Sequence, residues 1–217
     1  MPPAVKFCGL TRREDAAYAV SLGASYTGVI FASGPRLLTE DRAAYVLSDV
    51  PSSVGRVGVF GDQSAEEIGR IARRLDLQAV QLHGALSRER LDAVTQEVDA
   101  EVWPVIRVAG NAVPPAALEV IADSDVLFLD SYVPGVQGGS GVAMDWSALA
   151  ATIESVRGWK RLVLAGGLRP ANLSQAIAAI GPDIVDVSSG VESAPGIKDH
   201  TQMRMFRDAA LLATLST

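Results

Sequence analysis

Short apolar runs rich in β-branched residues recur along the chain, and each is followed by a stretch whose apolar positions repeat at helical spacing. The runs cover residues 5–8, 26–31, 55–60, 79–83, 102–108, 125–130, 161–165 and 184–187, which predicts eight strands. Successive runs begin ~21–29 residues apart, with one interval of ~36 before the seventh, about the length that a strand, a helix and two connections need. Helix signals lie between them. Thr11-x-x-Glu14 and Ser64-x-x-Glu67 read as capping boxes, and Ile68, Ile71, Ala72 and Leu75 then repeat at helical spacing. Gly23 and Gly181 follow helical stretches, where a left-handed terminating residue is favoured, and Pro170 suits the first turn of a helix reaching Ile180.

Strands alternating with helices specify a parallel sheet. Eight such units in 217 residues, with no glycine-rich dinucleotide fingerprint after the first strand, favour a closed eight-stranded α/β barrel, a (β/α)8 TIM barrel, over an open doubly wound sheet. A single domain over residues 1–217 is expected, because one core serves up to ~250–300 residues and no linker or low-complexity stretch interrupts the pattern.

Composition removes several function classes. Hydrophobic residues at 48% and charged residues at 20% allow an ordinary packed core. A formal net charge of -6 speaks against a nucleic-acid partner, yet a few local donors still suffice to hold an anionic small ligand. No apolar run reaches the ~18 residues of a membrane span and residues 1–6 lack a secretory hydrophobic region, so a cytoplasmic protein with no membrane partner is expected. One cysteine excludes an internal disulfide, and with two scattered histidines it offers no zinc-ligand spacing, so no metal is expected.

In such barrels the chemistry gathers where the strands end. The special residues there are Lys6-x-Cys8-Gly9, Pro35-Arg36, Gln81-x-His83-Gly84, Arg107, Asp130, Gly166-Gly167 and Ser188-Ser189-Gly190. Gly166-Gly167-Leu168 and Ser188-Ser189-Gly190-Val191 follow strands seven and eight, where barrels of this kind recurrently bind phosphate; the plainer alternative is that the glycines only shape tight turns. Cys8 is either a small buried hydrophobe or a base or nucleophile. Asp130 is either a solvated loop residue or a general acid in a dry pocket. Arg36 is a surface charge or a fork for an anionic group, and His83 a hydrogen-bonded packing residue or a participant in the site. Gly138-Gly139-Ser140-Gly141 reads as a mobile lid or close-approach loop without the ending of a nucleotide P-loop, and Asp145-Trp146 opens the next helix with Trp146 in the core.

Taken in order, these strand ends resemble the phosphoribosylanthranilate isomerases of tryptophan biosynthesis over essentially the whole chain. The resemblance is carried by Val5-Lys-Phe-Cys-Gly-Leu-Thr11 with Glu14-Asp-Ala16, Gly28-Val-Ile-Phe31 with Pro35-Arg36, Arg56-Val-Gly-Val-Phe60, Val80-Gln-Leu-His-Gly84 and Leu129-Asp130. It continues through Gly138-Gly-Ser-Gly141 with Asp145-Trp-Ser147, Leu164-Ala-Gly-Gly-Leu168 with Pro170 and Asn172, and Asp186-Val-Ser-Ser-Gly-Val-Glu192 with Pro195-Gly196 and Lys198-Asp199. Three departures stand out. Ala32-Ser33-Gly34-Pro35 is shorter than the family's usual loop, Arg107 stands where lysine is common, and Gly61-Asp62 replaces the usual Val-Asn.

The resemblance implies an Amadori rearrangement of N-(5-phosphoribosyl)anthranilate to 1-(2-carboxyphenylamino)-1-deoxyribulose 5-phosphate. Asp130 matches the general acid, Cys8 the general base, and Arg36 the holder of the anthranilate carboxylate. Gly166, Gly167, Ser188, Ser189 and Gly190 match the phosphate-holding loops, and His83 is a further candidate for binding substrate. No cofactor is implied, since the substrate's own iminium nitrogen is the electron sink. The expected partner is a small phosphorylated molecule, with the protein a monomer or a homodimer. Two rivals make different demands. The related histidine-pathway isomerase and its dual-substrate relative use a carboxylate where Cys8 stands, and a non-catalytic metabolite-binding barrel is expected to lack Cys8 or Asp130.

Overall fold

The computed structural model describes residues 1–109, 113–132 and 146–213. Eight parallel strands, β1 (Ala4–Phe7), β2 (Tyr26–Ile30), β3 (Gly55–Phe60), β4 (Ala79–Leu82), β5 (Glu101–Ala109), β6 (Val126–Tyr132), β7 (Arg161–Ala165) and β8 (Ile184–Val187), pair in sequence order, and β1 pairs with β8 to close a barrel. Helices follow the strands in turn: α1 (Arg13–Ser21), α2 (Glu40–Val46), α3 (Ala65–Leu75), α4 (Arg88–Glu97), α5 (Pro115–Val120), α6 (Trp146–Arg157), α7 (Pro170–Ile180) and α8 (His200–Leu212). The expected TIM barrel is the fold that forms. After β8 the chain makes a 3-10 turn over Ser189–Val191 and a small antiparallel hairpin, β9 (Glu192–Ala194) with β10 (Ile197–Lys198), before entering α8.

Two apolar cores result from the two faces of the strands. The larger lies between the outside of the barrel and the helices and includes Phe7, Val29, Phe60, Ile68, Leu75, Leu164 and Phe206. The smaller fills the barrel itself, with Val57, Ala79, Trp103, Val105, Phe128, Val163 and Ile184 packed together. Period-two alternation assigns each residue to one core or the other, as it must in a strand. Burying a large aliphatic or aromatic side chain is worth roughly 1.5–3 kcal/mol, so both cores reinforce the alternation that selects them.

Local signals account for most helix ends. Ser64 precedes α3 and its hydroxyl accepts from the Glu67 amide. Pro170 is the first residue of α7, and Gly181 ends that helix at φ 59° in the left-handed region. Gly23, just past α1, has φ 77°. Trp146 begins α6 and is buried, while residues 138–141 and Asp145 lie outside the described residues. One expectation fails. Thr11 caps no helix: α1 begins after Arg12, without a side-chain cap, and the Thr11 hydroxyl instead donates to the Gly196 carbonyl at 2.5 Å. A contact 185 residues away has taken the hydroxyl that a local capping box needs. Among the described residues, no helix is long and apolar enough to cross a membrane.

Candidate active site

Strand register decides which polar side chains meet inside the barrel. Lys6 pairs with Asp186 across β1 and β8, and Arg107 with Asp130 across β5 and β6. Two residues on from Lys6, Gln81 and Asp186, alternation returns to the same face at Cys8, His83 and Ser188. The apolar plug around Trp103 is therefore covered by a polar layer of Lys6, Gln81 and Asp186, and the strand ends above it carry Cys8, His83, Arg107, Asp130 and Ser188.

In the buried layer, Lys6 Nζ donates to Asp186 Oδ1 and to Gln81 Oε1, each at 3.0 Å. Lys6 is fully buried, and a charge there requires such a partner. Burial alone would lower its pKa, but the Asp186 carboxylate and Cys8 together outweigh that and hold the ammonium charged. Burial also pushes the Cys8 thiol above its ordinary value, and the Lys6 ammonium pulls partly against that rise. The space between them is tight: a Cβ on Gly28 would sit 3.0 Å from Cys8 Sγ and 3.2 Å from Lys6 Nζ. Glycine there lets sulfur and ammonium share one wall of the pocket. Asp186 is raised by burial, against the pull of Lys6, and the charge of Asp130 adds to the rise, so the field of Asp130 reaches this layer.

At the opposite wall, Asp130 Oδ2 lies 2.8 Å from His83 Nε2, and Arg107 Nη2 lies 3.0 Å from His83 Nδ1 and 3.1 Å from the His83 carbonyl. Arginine only donates, so His83 Nδ1 must accept. A neutral His83 then carries its proton on Nε2 and donates it to Asp130. His83, expected among the substrate-binding residues, thus makes its hydrogen bonds to the candidate acid and to Arg107.

Loops seven and eight form the third wall. Gly166 and Gly167 adopt φ 86° and 63°, where a side chain is strained. Asn172 fixes this loop: its side chain donates to the Gly167 carbonyl at 3.0 Å and accepts from the Arg169 amide at 2.9 Å. Gly190 sits so close to the Leu168 carbonyl that no Cβ fits there, so glycine is what lets the two loops touch. Among the described residues, the Ser188 hydroxyl is buried without a hydrogen-bond partner. Arg36, at the end of the β2 loop, is engaged: its Nε and Nη2 donate to Glu192 Oε1 and Oε2 at 2.8 and 2.6 Å, across 156 residues of sequence.

Residues 5–209 match the family described as N-(5'phosphoribosyl)anthranilate (PRA) isomerase. The chain belongs to this family. A relative from Paramagnetospirillum magneticum, named N-(5'-phosphoribosyl)anthranilate isomerase, is 40% identical over 215 residues, covering 97% of this chain and 98% of its own. Among solved structures, the phosphoribosyl anthranilate isomerase of Thermotoga maritima superposes with TM-score 0.87 at 35% identity over 96% of this chain and 98% of that one. Another, a phosphoribosyl anthranilate isomerase in complex with reduced 1-(o-carboxyphenylamino)-1-deoxyribulose 5-phosphate, gives TM-score 0.80 at 34% identity, covering 96% and 98%.

Within this family fold, all the strand-end residues singled out from sequence lie at one mouth of the barrel. Several members of the site had no role assigned from sequence. Lys6, Gln81 and Asp186 form the floor, and Glu192 and Lys198 bind Arg36 and the loop after β8. A signal for the first three existed. Each stands two residues before a strand-end candidate, and period-two alternation puts it on the same inward face.

Proposed function

We propose that the chain catalyses the isomerisation of N-(5-phosphoribosyl)anthranilate to 1-(2-carboxyphenylamino)-1-deoxyribulose 5-phosphate by general acid–base chemistry. The observation that carries this reading is the pairing of a thiol wall (Cys8 over Lys6) with a carboxyl wall (Asp130 on His83) at one barrel mouth.

Asp130 delivers a proton to the furanose ring oxygen, the C1'–O bond breaks, and a protonated Schiff base remains at C1'. The Cys8 thiolate then takes the C2' proton. The released electron pair forms the C1'–C2' double bond as the iminium nitrogen becomes neutral, giving an enolamine. Protonation at C1' and loss of the enol proton yield the ketone. Each residue's surroundings suit its step. Lys6 supplies the counterion of the thiolate. His83, fixed as the Nε2–H tautomer by Arg107, stabilises the carboxylate that Asp130 becomes, which leaves Oδ1 as the oxygen that hands over the proton. Arg36 holds the anthranilate carboxylate, while the loops of Gly166, Gly167, Ser188, Ser189 and Gly190 hold the phosphate.

Mixing purified protein with freshly prepared phosphoribosylanthranilate tests the whole reading. Anthranilate-type fluorescence should fall with enzyme-dependent kinetics, and fluorescence decaying no faster than in buffer alone would overturn it. The phosphate assignment has its own test. Sulfate or inorganic phosphate soaked into crystals should lodge between loops seven and eight, and Gly190→Ala, which forces the loops apart, should raise KM by at least ~10-fold, the equivalent of about 1.4 kcal/mol of lost binding. An anion bound elsewhere on the mouth, with KM unchanged in the variant, would remove phosphate from this wall.

A further inference from the structure

We propose that Glu192 is a positioning residue that aims one edge of the Arg36 guanidinium at the substrate's carboxylate, and that the Arg36–Glu192–Lys198 cluster is built to take up one more carboxylate. The inference rests on the role given to Arg36 above and adds what makes Arg36 selective.

A guanidinium has five N–H donors and two edges on which a carboxylate makes paired hydrogen bonds. Glu192 occupies the edge formed by Nε and Nη2. The edge formed by Nη1 and the outer N–H of Nη2 is left for a second carboxylate in the same plane. Glu192 is itself held: its side chain is 4% exposed, and the fully buried Lys198 ammonium donates to its Oε1 at 2.8 Å and to the Ser188 carbonyl at 3.0 Å. Burial would raise the Glu192 carboxyl, but Arg36 and Lys198 together keep it below its ordinary value, hence ionised. Burial lowers the Lys198 pKa against the pull of Glu192; with its ammonium charged, two cations against one carboxylate leave a surplus positive charge in a largely dry setting, where an unbalanced charge is costly. Of the three side chains only that of Arg36 is appreciably open, at 21% exposed.

The cluster also adjoins the proposed chemistry. A Cβ on Gly9, the residue after Cys8, would fall 2.5 Å from Arg36 Cδ and 2.8 Å from the unpartnered Ser188 hydroxyl. Arg36 and the Ser188 hydroxyl thus both close on the residue that follows the thiol. A substrate whose C1' nitrogen bears an unsubstituted phenyl group lacks the anion that neutralises the cluster.

Two ligands separate this from a structural role: reduced 1-(o-carboxyphenylamino)-1-deoxyribulose 5-phosphate and its phenylamino counterpart without the carboxylate. Their Kd values are measured by calorimetry on the wild type, Glu192→Gln, Glu192→Asp and Arg36→Gln. Glutamine opposes an amide N–H to an arginine donor. Aspartate keeps the charge but withdraws it by one methylene, which guards against loss of fold through an unpaired Lys198. Glu192→Asp, which keeps the charge of the cluster, should bind the carboxylated ligand about tenfold more weakly, the loss of roughly one charge-assisted hydrogen bond, and Glu192→Gln should lose less, because the charge it adds to the cluster opposes the lost aim. Affinity for the carboxylate-free ligand should hold, so that the ratio of the two Kd values collapses. Equal weakening of both ligands, or wild-type affinity for both, overturns the proposal. If Arg36→Gln weakens the carboxylated ligand while neither Glu192 variant does, the inference falls alone; if Arg36→Gln also leaves that ligand untouched, the role given to Arg36 falls with it.

Discussion

Cys8→Ser should lower kcat by at least ~10²-fold with the fold intact, and Asp130→Asn should do the same, since a positioned acid or base contributes ~10²–10⁴-fold. Serine keeps the size of the side chain but its hydroxyl does not ionise near neutrality, so the C2' proton has no acceptor. Asparagine fits the space of Asp130 beside His83 yet has no acidic proton for the ring oxygen. The fluorescence assay gives kcat, and circular dichroism with thermal unfolding verifies the fold. Wild-type turnover in either variant would end that residue's assignment. The pH dependence carries a sign. Burial holds the Cys8 thiol above its ordinary value despite Lys6, so kcat/KM of the free enzyme should climb with pH toward a midpoint on the alkaline side of an unperturbed thiol. That limb should vanish in Cys8→Ser and persist in Asp130→Asn.

The barrel was legible because the two devices that specify it are local. β-branched runs bounded by turn residues mark strands, and the alternation of strand with helix fixes parallel topology, so strands β3, β7 and β8 begin and end at the residues expected. The candidate acid and base were legible for a related reason: a polar residue closing an apolar run, as Asp130 closes residues 126–129, points to a strand end. What stayed hidden is joined across the sequence. Glu192 and Arg36 meet 156 residues apart, and no periodicity within either segment announces the pair. Thr11 failed as a cap through the same kind of distant contact, with Gly196. Lys6 was placed at a strand end but given no role, because a lysine that is fully buried defies the usual preference of that side chain for solvent. Parity with Cys8 was the one sequence feature that placed it inside.

That buried lysine carries the second large effect. In Lys6→Met the side chain keeps its length and loses its charge, so Asp186 is left buried without its counterion and Gln81 without a donor. Removing one partner of a buried pair costs ~3–5 kcal/mol, on the order of 10 °C in Tm for a domain of this size. Replacing both partners, in Lys6→Met with Asp186→Leu, should recover much of that loss, because no isolated charge remains to be desolvated. The sign with pH again discriminates. Without Lys6 the Asp186 pKa rises further, so the folded chain keeps a proton that the unfolded chain releases. Stability of the variant should therefore fall as pH is raised from the ordinary carboxylate value toward the elevated one. Catalysis should respond separately: with no ammonium beside the sulfur, the Cys8 limb in kcat/KM should move further to alkaline pH. Equal melting temperatures for Lys6→Met and the wild type would mean that the pair contributes nothing net to stability. An unmoved limb would mean that the thiolate forms without help from the floor of the barrel.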